Sequence, residues 1–185
     1  FAAHLRVRYE YVPTDWNRIV EDITGKKIQV EGENVRFVGD APVRGDIIAN
    51  GLTILPWRLK VLDFSIPTFP TQIWLIARAD SPLSPITPKG DIAADIAQVK
   101  GLLKDRSVPT KENTCLDPRL SGLEAQGARV RLFEGSMNDM VPALLASDLD
   151  ATILDVPDAL EALERWHGRI KVIGPVSPRQ EMAAA

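Results

Sequence analysis

The sequence has few of the residues that build metal and cofactor sites, which limits the kinds of protein it can encode. Among its 185 residues there is one cysteine, Cys115, and there are two histidines, His4 and His167. A single cysteine cannot form an internal disulfide, and neither histidine has a cysteine or carboxylate at metal-ligand spacing. We therefore predict no metal site, no cofactor and no catalytic residue. The histidines are predicted near helix ends, and Cys115 as a small buried residue rather than a nucleophile.

The sequence also lacks a strong excess of charge and a long apolar run. Its formal net charge is -3, and no basic stretch interleaved with aromatic residues is present, which argues against nucleic acid as a partner. No apolar run approaches the ~18 residues of a membrane-spanning helix. Apolar residues make up 45% of the chain, enough for the core of one large domain or of two small lobes.

Strand and helix patterns alternate through the second half of the chain. The predicted strands are 71–79, 106–110, 130–133, 150–154 and 170–173. The predicted helices are 91–103, 116–125, 141–147 and 157–166, with Asp91 as the N-cap of the first and an irregular turn before the third. This alternation predicts a wound α/β sheet with parallel strands.

The first half has weaker patterns. Residues 7–12 alternate apolar and polar side chains, which predicts a strand, and a short helix follows Thr14 as its predicted N-cap. Residues 28–44 contain two strand-like pieces separated by turn signals. The apolar run 46–49 predicts a buried strand. The first residues have the pattern of a helix end, so we expect the natural protein to begin before Phe1.

Residues suited to binding an anion follow the predicted strand 46–49. They are Asn50, Gly51, Thr53 and Arg58. Ligands of open α/β sheets bind beyond the carboxyl ends of strands, and a guanidinium group matches a carboxylate with two parallel hydrogen bonds. The pattern predicts an anion-binding rim; the alternative is a surface turn with a solvated arginine.

An acidic residue, Asp155, follows a predicted strand in the second half. Together with Arg58 it offers one cationic and one anionic group to a ligand. Asp155 is also well placed to be the N-cap of the helix 157–166, and both roles are compatible.

Two longer motifs carry a family resemblance. The first, D-I-I-A-x-G-L-T-I-x-P-x-R-x-K-x-x-D-F-S-x-P, begins at Asp46, and the second, L-x-x-x-D-L-D-A-T-I-L-D, ends at Asp155. They resemble the type II periplasmic solute-binding proteins that capture polar amino acids. The resemblance implies that Gly51, Thr53 and Arg58 hold the α-carboxylate of a ligand and that Asp155 receives its ammonium group.

The same resemblance implies two further parts of the site. Asn113, Thr114 and Cys115 stand where the family has a Gly-Thr-Thr turn, whose backbone N–H groups can meet a carboxylate. Trp16 stands where the family sets an aromatic residue or leucine against the ligand side chain; the alternative is that Trp16 packs the first helix on the sheet. Cys115 replaces a hydroxyl and Leu55 stands where threonine is usual, which predicts a less polar pocket.

The predicted fold is α/β, with two lobes of the type II periplasmic-binding-protein fold, parallel-sheet lobes joined by a hinge, and a truncated first lobe. Lobe 1 is predicted at 1–66, with 177–185 returning to it, and lobe 2 at 71–173. The crossings between them are 67–70 and 174–176. Two crossings form a hinge, and the cleft between the lobes closes on the ligand.

The implied function is capture of an amino acid or a similar small carboxylate or zwitterion for ABC-type import. We therefore expect a periplasmic protein without enzyme activity, whose partners are a small-molecule ligand and a membrane permease. Two alternatives stay open. One is a ligand-sensing module of a larger receptor or cell-wall enzyme, and the other is an enzyme similar to the periplasmic cyclohexadienyl dehydratases.

Overall fold

The structure is a computed structural model that describes all of residues 1–185. It contains six α-helices: α1 (Ala2–Leu5), α2 (Ile19–Thr24), α3 (Ile92–Gly101), α4 (Pro118–Ser121), α5 (Met140–Ala146) and α6 (Val156–Arg165). Its ten strands are β1 (Lys26–Glu31), β2 (Asn34–Asp40), β3 (Leu52–Thr53), β4 (Phe69–Thr71), β5 (Ile73–Arg78), β6 (Ser107–Thr110), β7 (Arg129–Leu132), β8 (Thr152–Asp155), β9 (Ile170–Pro175) and β10 (Gln180–Ala183). None of these helices has the length and the apolar character that a membrane span requires.

The sheets of the second half correct the prediction of parallel strands. Strand β5 lies between β8 and β9 and is antiparallel to both, so that Ile73 pairs with Asp155 and Arg78 with Ile170. Only β6 and β7 form a parallel pair. Strand β5 is not followed directly in the chain by β8 or β9. An alternation of strands and helices fixes the relative direction only of strands that are joined by a single crossover helix, so it does not fix the direction of β5 against these two.

The sheet of the first half is entirely antiparallel. Strand β10 lies between β3 and β4 and is antiparallel to both, with Met182 opposite Thr53 on one side and Phe69 on the other. Because β3 and β4 are both short and each pairs with β10, this strand holds the sheet together. The last residues of the chain therefore complete the sheet of the first half.

Residues 28–44 form most of an antiparallel hairpin of β1 and β2. Its turn contains Gly32, whose φ of 64° favours glycine. The two strand-like pieces predicted in this region are confirmed.

Two predicted strands of the first half are wrong. Residues 7–12 are irregular and largely exposed, with Tyr11 74% exposed, because no neighbouring strand pairs with them. Residues 46–49 are irregular too: Ile48 exchanges two backbone hydrogen bonds with Ala185, but no further residue pairs beside it. Neither an alternating nor an apolar run makes a strand where no partner strand is available.

The helices of the second half follow their sequence signals closely. The Asp91 side chain accepts hydrogen bonds from the backbone N–H groups of Ala93 and Ala94, which confirms it as the N-cap of α3. A 3-10 turn at Met137–Asp139 precedes α5, as the irregular turn before Pro142 predicted. The predicted helix 116–125 is divided by Gly122, so only its first part is α-helical.

Two separate hydrophobic cores are present. The smaller has seven buried residues, including Ile48, Leu52 and Leu55, and the larger has 25, including Ile73 and Ile153. We propose that they are the cores of two lobes, lobe 1 at 1–66 with 177–185 and lobe 2 at 71–173, with crossings at 67–70 and 174–176. The pairing of β10 with β3 and β4 supports this division.

Gly174 is the first residue of the proposed second crossing, and we expect its replacement by alanine to destabilise the protein. Its φ is 154°, and a Cβ there would lie 2.7 Å from Cγ2 of Val99 and 2.9 Å from Cγ1 of Ile86. Both neighbours belong to packed surroundings, so Gly174→Ala should lower the free energy of unfolding by about 1–3 kcal/mol in urea denaturation.

Gly168→Ala is the matched control, because Gly168 also has a positive φ, of 73°, but a Cβ there would have no neighbouring atom within 4 Å. It tests backbone strain without crowding, and its expected cost is about 1 kcal/mol or less. Equal losses in the two variants would contradict the argument from crowding at Gly174.

Candidate functional site

One cavity, of about 290 Å³, is lined by residues of both proposed lobes. Its lining consists of Trp16, Asn50, Gly51, Thr53, Arg58, Phe69, Thr114, Cys115, Met137, Asp155, Pro157, Asp158 and Met182. All the predicted site residues are among them except Asn113, which lies against an adjoining smaller pocket. The structure therefore brings the predicted cation and the predicted anion to one cavity.

The segment from Asn50 to Thr53 is held by strand β10. Thr53 pairs with Met182 across β3 and β10, and Gly51 precedes this pair with a φ of 73°. A Cβ on Gly51 would lie 3.7 Å from Sδ of Met182, so the chain passes close to that side chain. Thr53 is buried, whereas Asn50 is exposed at the rim of the cavity.

Arg58 is buried although it is charged. Only 2% of it is exposed, so the alternative of a solvated arginine on a surface turn is wrong. Its Nη1 donates to the carbonyl oxygen of Thr53 at 2.9 Å and its Nη2 to that of Asn113 at 3.2 Å. Nε has no partner. Burial lowers the pKa of Arg58 to about 10, which leaves the guanidinium charged at neutral pH.

The turn that contains Asn113 and Thr114 is fixed by side-chain hydrogen bonds. Asn113 has a φ of 60°, a left-handed conformation that glycine adopts freely and asparagine tolerates, so it can stand where glycine was expected. The hydroxyl of Thr114 donates to the carbonyl oxygen of Lys111 at 2.8 Å and accepts from the backbone N–H of Leu116 at 3.0 Å. Thr114 thus lines the cavity, but its hydroxyl is already engaged in holding the turn.

Asp117 anchors this turn, and we expect Asp117→Ala to destabilise the protein. The buried carboxylate accepts from the backbone N–H groups of Asn113 and Arg119, each at 2.9 Å, and from Nε of Arg119 at 2.8 Å. Losing these acceptors should lower the free energy of unfolding by about 2–3 kcal/mol at pH 7.

This loss should depend on pH in a definite direction. Burial raises the pKa of Asp117, but the hydrogen bonds from Arg119 and Asn113 outweigh it, so the pKa lies below its usual value of 3.8. A carboxyl group with a lowered folded-state pKa stabilises fully above its unfolded-state pKa and loses that effect as pH falls through the folded-state value. Urea denaturation of wild type and Asp117→Ala should therefore converge in acid; a constant difference below about pH 4 would contradict this account.

Cys115 lies between the two charged groups of the cavity. Its Sγ is 3.8 Å from Oδ2 of Asp155, and burial, followed by the Asp155 charge, raises the pKa of the thiol to about 12. The thiol is therefore protonated at neutral pH and unsuited to nucleophilic attack. Leu55 belongs to the smaller core and does not line the cavity, so only the cysteine makes the cavity less polar.

Asp155 has both of the arrangements that its sequence position allowed. It ends β8, lines the cavity and is buried, and its Oδ1 accepts a hydrogen bond from the backbone N–H of Asp158 at 3.1 Å as the N-cap of α6. Burial raises the pKa of Asp155. Burial and the neighbouring Asp155 carboxylate raise the pKa of Asp158 to about 7. The cavity therefore contains a pair of adjacent carboxyl groups.

Trp16 likewise has the position that each of its two interpretations requires. It is half-buried, packs against both hydrophobic cores and lines the cavity. No other partly buried aromatic side chain packs against both cores, so Trp16 lies at the junction of the two proposed lobes.

Sequence reasoning missed several residues that line the cavity: Phe69, Met137, Pro157, Asp158 and Met182. Asp158 had a usable signal, because it follows Asp155 by three residues and therefore lies on the same face of a helix start. Met182 had none, since it reaches the cavity only through the pairing of β10. No group of three or more histidine, cysteine or acidic side chains that could hold a metal ion is present.

Solved structures with the same fold support this interpretation of the architecture. ArgBP from T. maritima, as an arginine-bound glycine-to-alanine mutant, is 21% identical with a TM-score of 0.72, over 99% of this chain and 70% of that one. A protein described as a putative binding component of an ABC transporter from Wolinella succinogenes, complexed with lysine, is 16% identical with a TM-score of 0.73, over 100% of this chain and 67% of that one.

An ancestral arginine-binding protein bound to arginine is 18% identical with a TM-score of 0.68, over 98% of this chain and 69% of that one. No family model matches the sequence, and no curated protein matches it. At these identities the likeness establishes the fold: the chain has the two-lobe α/β architecture of type II periplasmic solute-binding proteins, and it spans about two thirds of the length of the proteins compared.

Proposed function

We propose that this chain captures an amino acid, or a similar small zwitterion or carboxylate, as an extracytoplasmic solute-binding protein. The observation that carries the proposal is that Arg58 of proposed lobe 1 and Asp155 of proposed lobe 2 line the same cavity. A guanidinium binds a carboxylate and an aspartate binds an ammonium group, so a zwitterion satisfies both charges at once. Each charge also comes from a different lobe, so one ligand can hold the cleft closed.

Arg58 has donors left for a ligand. A guanidinium has five N–H groups, and in this structure one on each Nη donates to a backbone carbonyl while Nε donates to none. Charge-assisted hydrogen bonds contribute about 1.5–3 kcal/mol each. Four or five of them, less the costs of immobilisation and closure, give a binding free energy of about -8 kcal/mol, which corresponds to a micromolar dissociation constant.

The other predicted residues take supporting roles in this proposal. Gly51 and Thr53 lie beside Arg58 at the carboxylate, Trp16 forms a flat wall for the ligand side chain, and Asn50 lies at the rim. Asn113 and Thr114 act from the turn: the Asn113 carbonyl holds the Arg58 guanidinium in place. This set is suited to binding, and the protonated Cys115 supplies no nucleophile.

The fold supports a place for the protein in transport. Its structural neighbours are arginine- and lysine-bound proteins, one of them described as part of an ABC transporter. We therefore propose a periplasmic location, an amino acid or related carboxylate as ligand, and delivery of that ligand to the membrane permease of an ABC transporter.

A thermal-shift panel tests the proposal. Amino acids, dicarboxylates, opines and polyamines are each added at about 100 times a micromolar dissociation constant, which stabilises the folded state by about 2.7 kcal/mol for a true ligand. For a chain of this size that corresponds to a rise in Tm of roughly 5–10 °C. A panel in which no compound raises the Tm would contradict the proposal.

A second candidate function is favoured by one observation. Asp158 lies in the cavity with its pKa raised to about 7, as a general acid requires, which favours a dehydratase-like enzyme on the same fold as the alternative. Incubation with arogenate or prephenate and detection of an aromatic product separates the two candidates. We expect no product; turnover would favour the enzyme over the binding protein.

A further inference from the structure

Asp158 is an acid in the cavity that the pairing of Arg58 with Asp155 does not use. It lies in the first turn of α6, and its backbone N–H donates the hydrogen bond that Asp155 accepts as N-cap. The carboxyl group forms no salt bridge with any arginine, lysine or histidine of the chain. The N-cap of α6 therefore explains the Asp158 backbone, while the Asp158 carboxyl group shares a hydrogen bond with that of Asp155 and has no cationic partner.

The charges of the cavity are unequal. Of the residues that line it, Arg58 is the one base, whereas Asp155 and Asp158 are two acids, and Cys115 is neutral. A ligand with one carboxylate and one ammonium group would satisfy Arg58 and Asp155 and leave Asp158 without a cationic partner. The buried Arg58 Nε, which has no partner, also indicates that this cavity is built to receive a ligand.

We propose that Asp158 is a specificity-determining residue that makes the cleft select ligands with one carboxylate and two cationic groups over neutral zwitterions. The ligand class is then a basic amino acid, with either an amine or a guanidine on its side chain. This rests on the proposed function. Trp16 supports it, because an indole face in the same cavity attracts a cation in addition to a carboxylate partner.

Binding of such a ligand is coupled to a proton. In the empty cleft, burial and mutual repulsion favour one proton on the pair of Asp155 and Asp158. The other charged groups near Asp158 are Glu161 and Arg165 on the same helix, which share a narrow hollow of about 30 Å³ with it. A bound cation favours the charged form of both carboxyl groups, so the ligand displaces the proton. The affinity for the ligand therefore rises with pH up to about 7, the pKa of Asp158.

The test is the variant Asp158→Asn, which keeps the shape of the side chain and the backbone N–H. Isothermal titration calorimetry measures L-arginine, L-lysine and L-ornithine against L-glutamine and L-methionine at about pH 6 and pH 8, on either side of the Asp158 pKa. The wild type should bind the basic amino acids more tightly than the neutral ones. In the variant the ratio of the two affinities should be about tenfold smaller, because the basic ligands bind more weakly. The wild type should also release a proton on binding them near neutral pH, seen as a dependence of the heat on the buffer, and the variant should not.

Glu161→Gln is the matched control, because Glu161 lies one turn further along the same helix and does not line the cavity. It should keep the preference of the wild type. An unchanged preference in Asp158→Asn, or equal binding of basic and neutral amino acids by the wild type, would overturn the role of Asp158 and leave the proposed function standing. Failure of the wild type to bind any of the five amino acids would overturn this inference, whereas a thermal-shift panel in which no compound raises the Tm would overturn the proposed function as well.

Discussion

Replacing Arg58 with methionine is expected to weaken ligand binding by roughly 100- to 1000-fold. Methionine keeps much of the apolar stem but removes the charge and every N–H group that a ligand carboxylate can use. Two charge-assisted hydrogen bonds at about 1.5–2 kcal/mol each account for this loss. Isothermal titration calorimetry with the ligand found by thermal shift measures it.

This substitution should also lower stability, because Arg58 is buried and donates to the carbonyl oxygens of Thr53 and Asn113. Arg78→Met is the matched control. Arg78 likewise donates to two backbone carbonyls, those of Leu144 and Leu149, but does not line the cavity. It should lose stability and keep binding. Normal binding by Arg58→Met would show that the ligand carboxylate lies elsewhere.

Replacing Asp155 with asparagine is expected to weaken binding of ligands with an ammonium group by roughly 100- to 5000-fold, while the fold persists. Asparagine is as good an N-cap as aspartate, so the hydrogen bond to the backbone of Asp158 is kept. What is lost is the negative charge, and an ammonium group buried without an anion costs about 3–5 kcal/mol relative to the paired state. Titration calorimetry measures the affinity, and circular dichroism melting measures the stability.

Asp91→Asn is the control for this variant, because Asp91 caps α3 in the same way and lies outside the cavity. Both variants should melt close to the wild type, and only Asp155→Asn should lose binding. If Asp155→Asn binds as the wild type does, Asp155 is a helix cap alone and the anionic part of the site has to be sought elsewhere.

The starts of α3 and α6 and the two main charged residues could be predicted because their signals are local. Asp91 marks the start of α3 through its own side-chain hydrogen bonds, and Asp155 does the same for α6. Arg58 follows, within a few positions, a short run of residue types that are suited to binding an anion. Such features depend on residues within about ten positions of each other, so the sequence contains them directly.

The pairing of strands could not be predicted in the same way. Residues 7–12 alternate as a strand does, but a strand also requires a partner, and none pairs with them. The direction of β5 depends on β8 and β9, which lie far along the chain and whose contacts with β5 are not visible in any short window. Tertiary contacts decide these features.

The same distinction applies to the cavity. Asp158 could have been found from Asp155, one helical turn away. Phe69 and Met182 lie opposite each other across β4 and β10, which are distant in sequence, and they reach the cavity only when that sheet is formed. The charged groups of the site were therefore predictable, and most of its apolar wall was not.

The most direct test of the central claim compares one ligand with two of its analogues by titration calorimetry. One analogue has a carboxamide in place of the α-carboxylate, and the other lacks the α-amino group. Each should bind the wild type roughly 100-fold more weakly than the parent ligand. Arg58→Met should bind the carboxamide almost as well as it binds the parent ligand, and Asp155→Asn should bind the des-amino analogue almost as well as the parent. The reason is that each variant already lacks the partner of the missing group. If the affinity lost through the variant and the affinity lost through the matching analogue simply add, the claim that Arg58 and Asp155 bind the two ends of one ligand is contradicted.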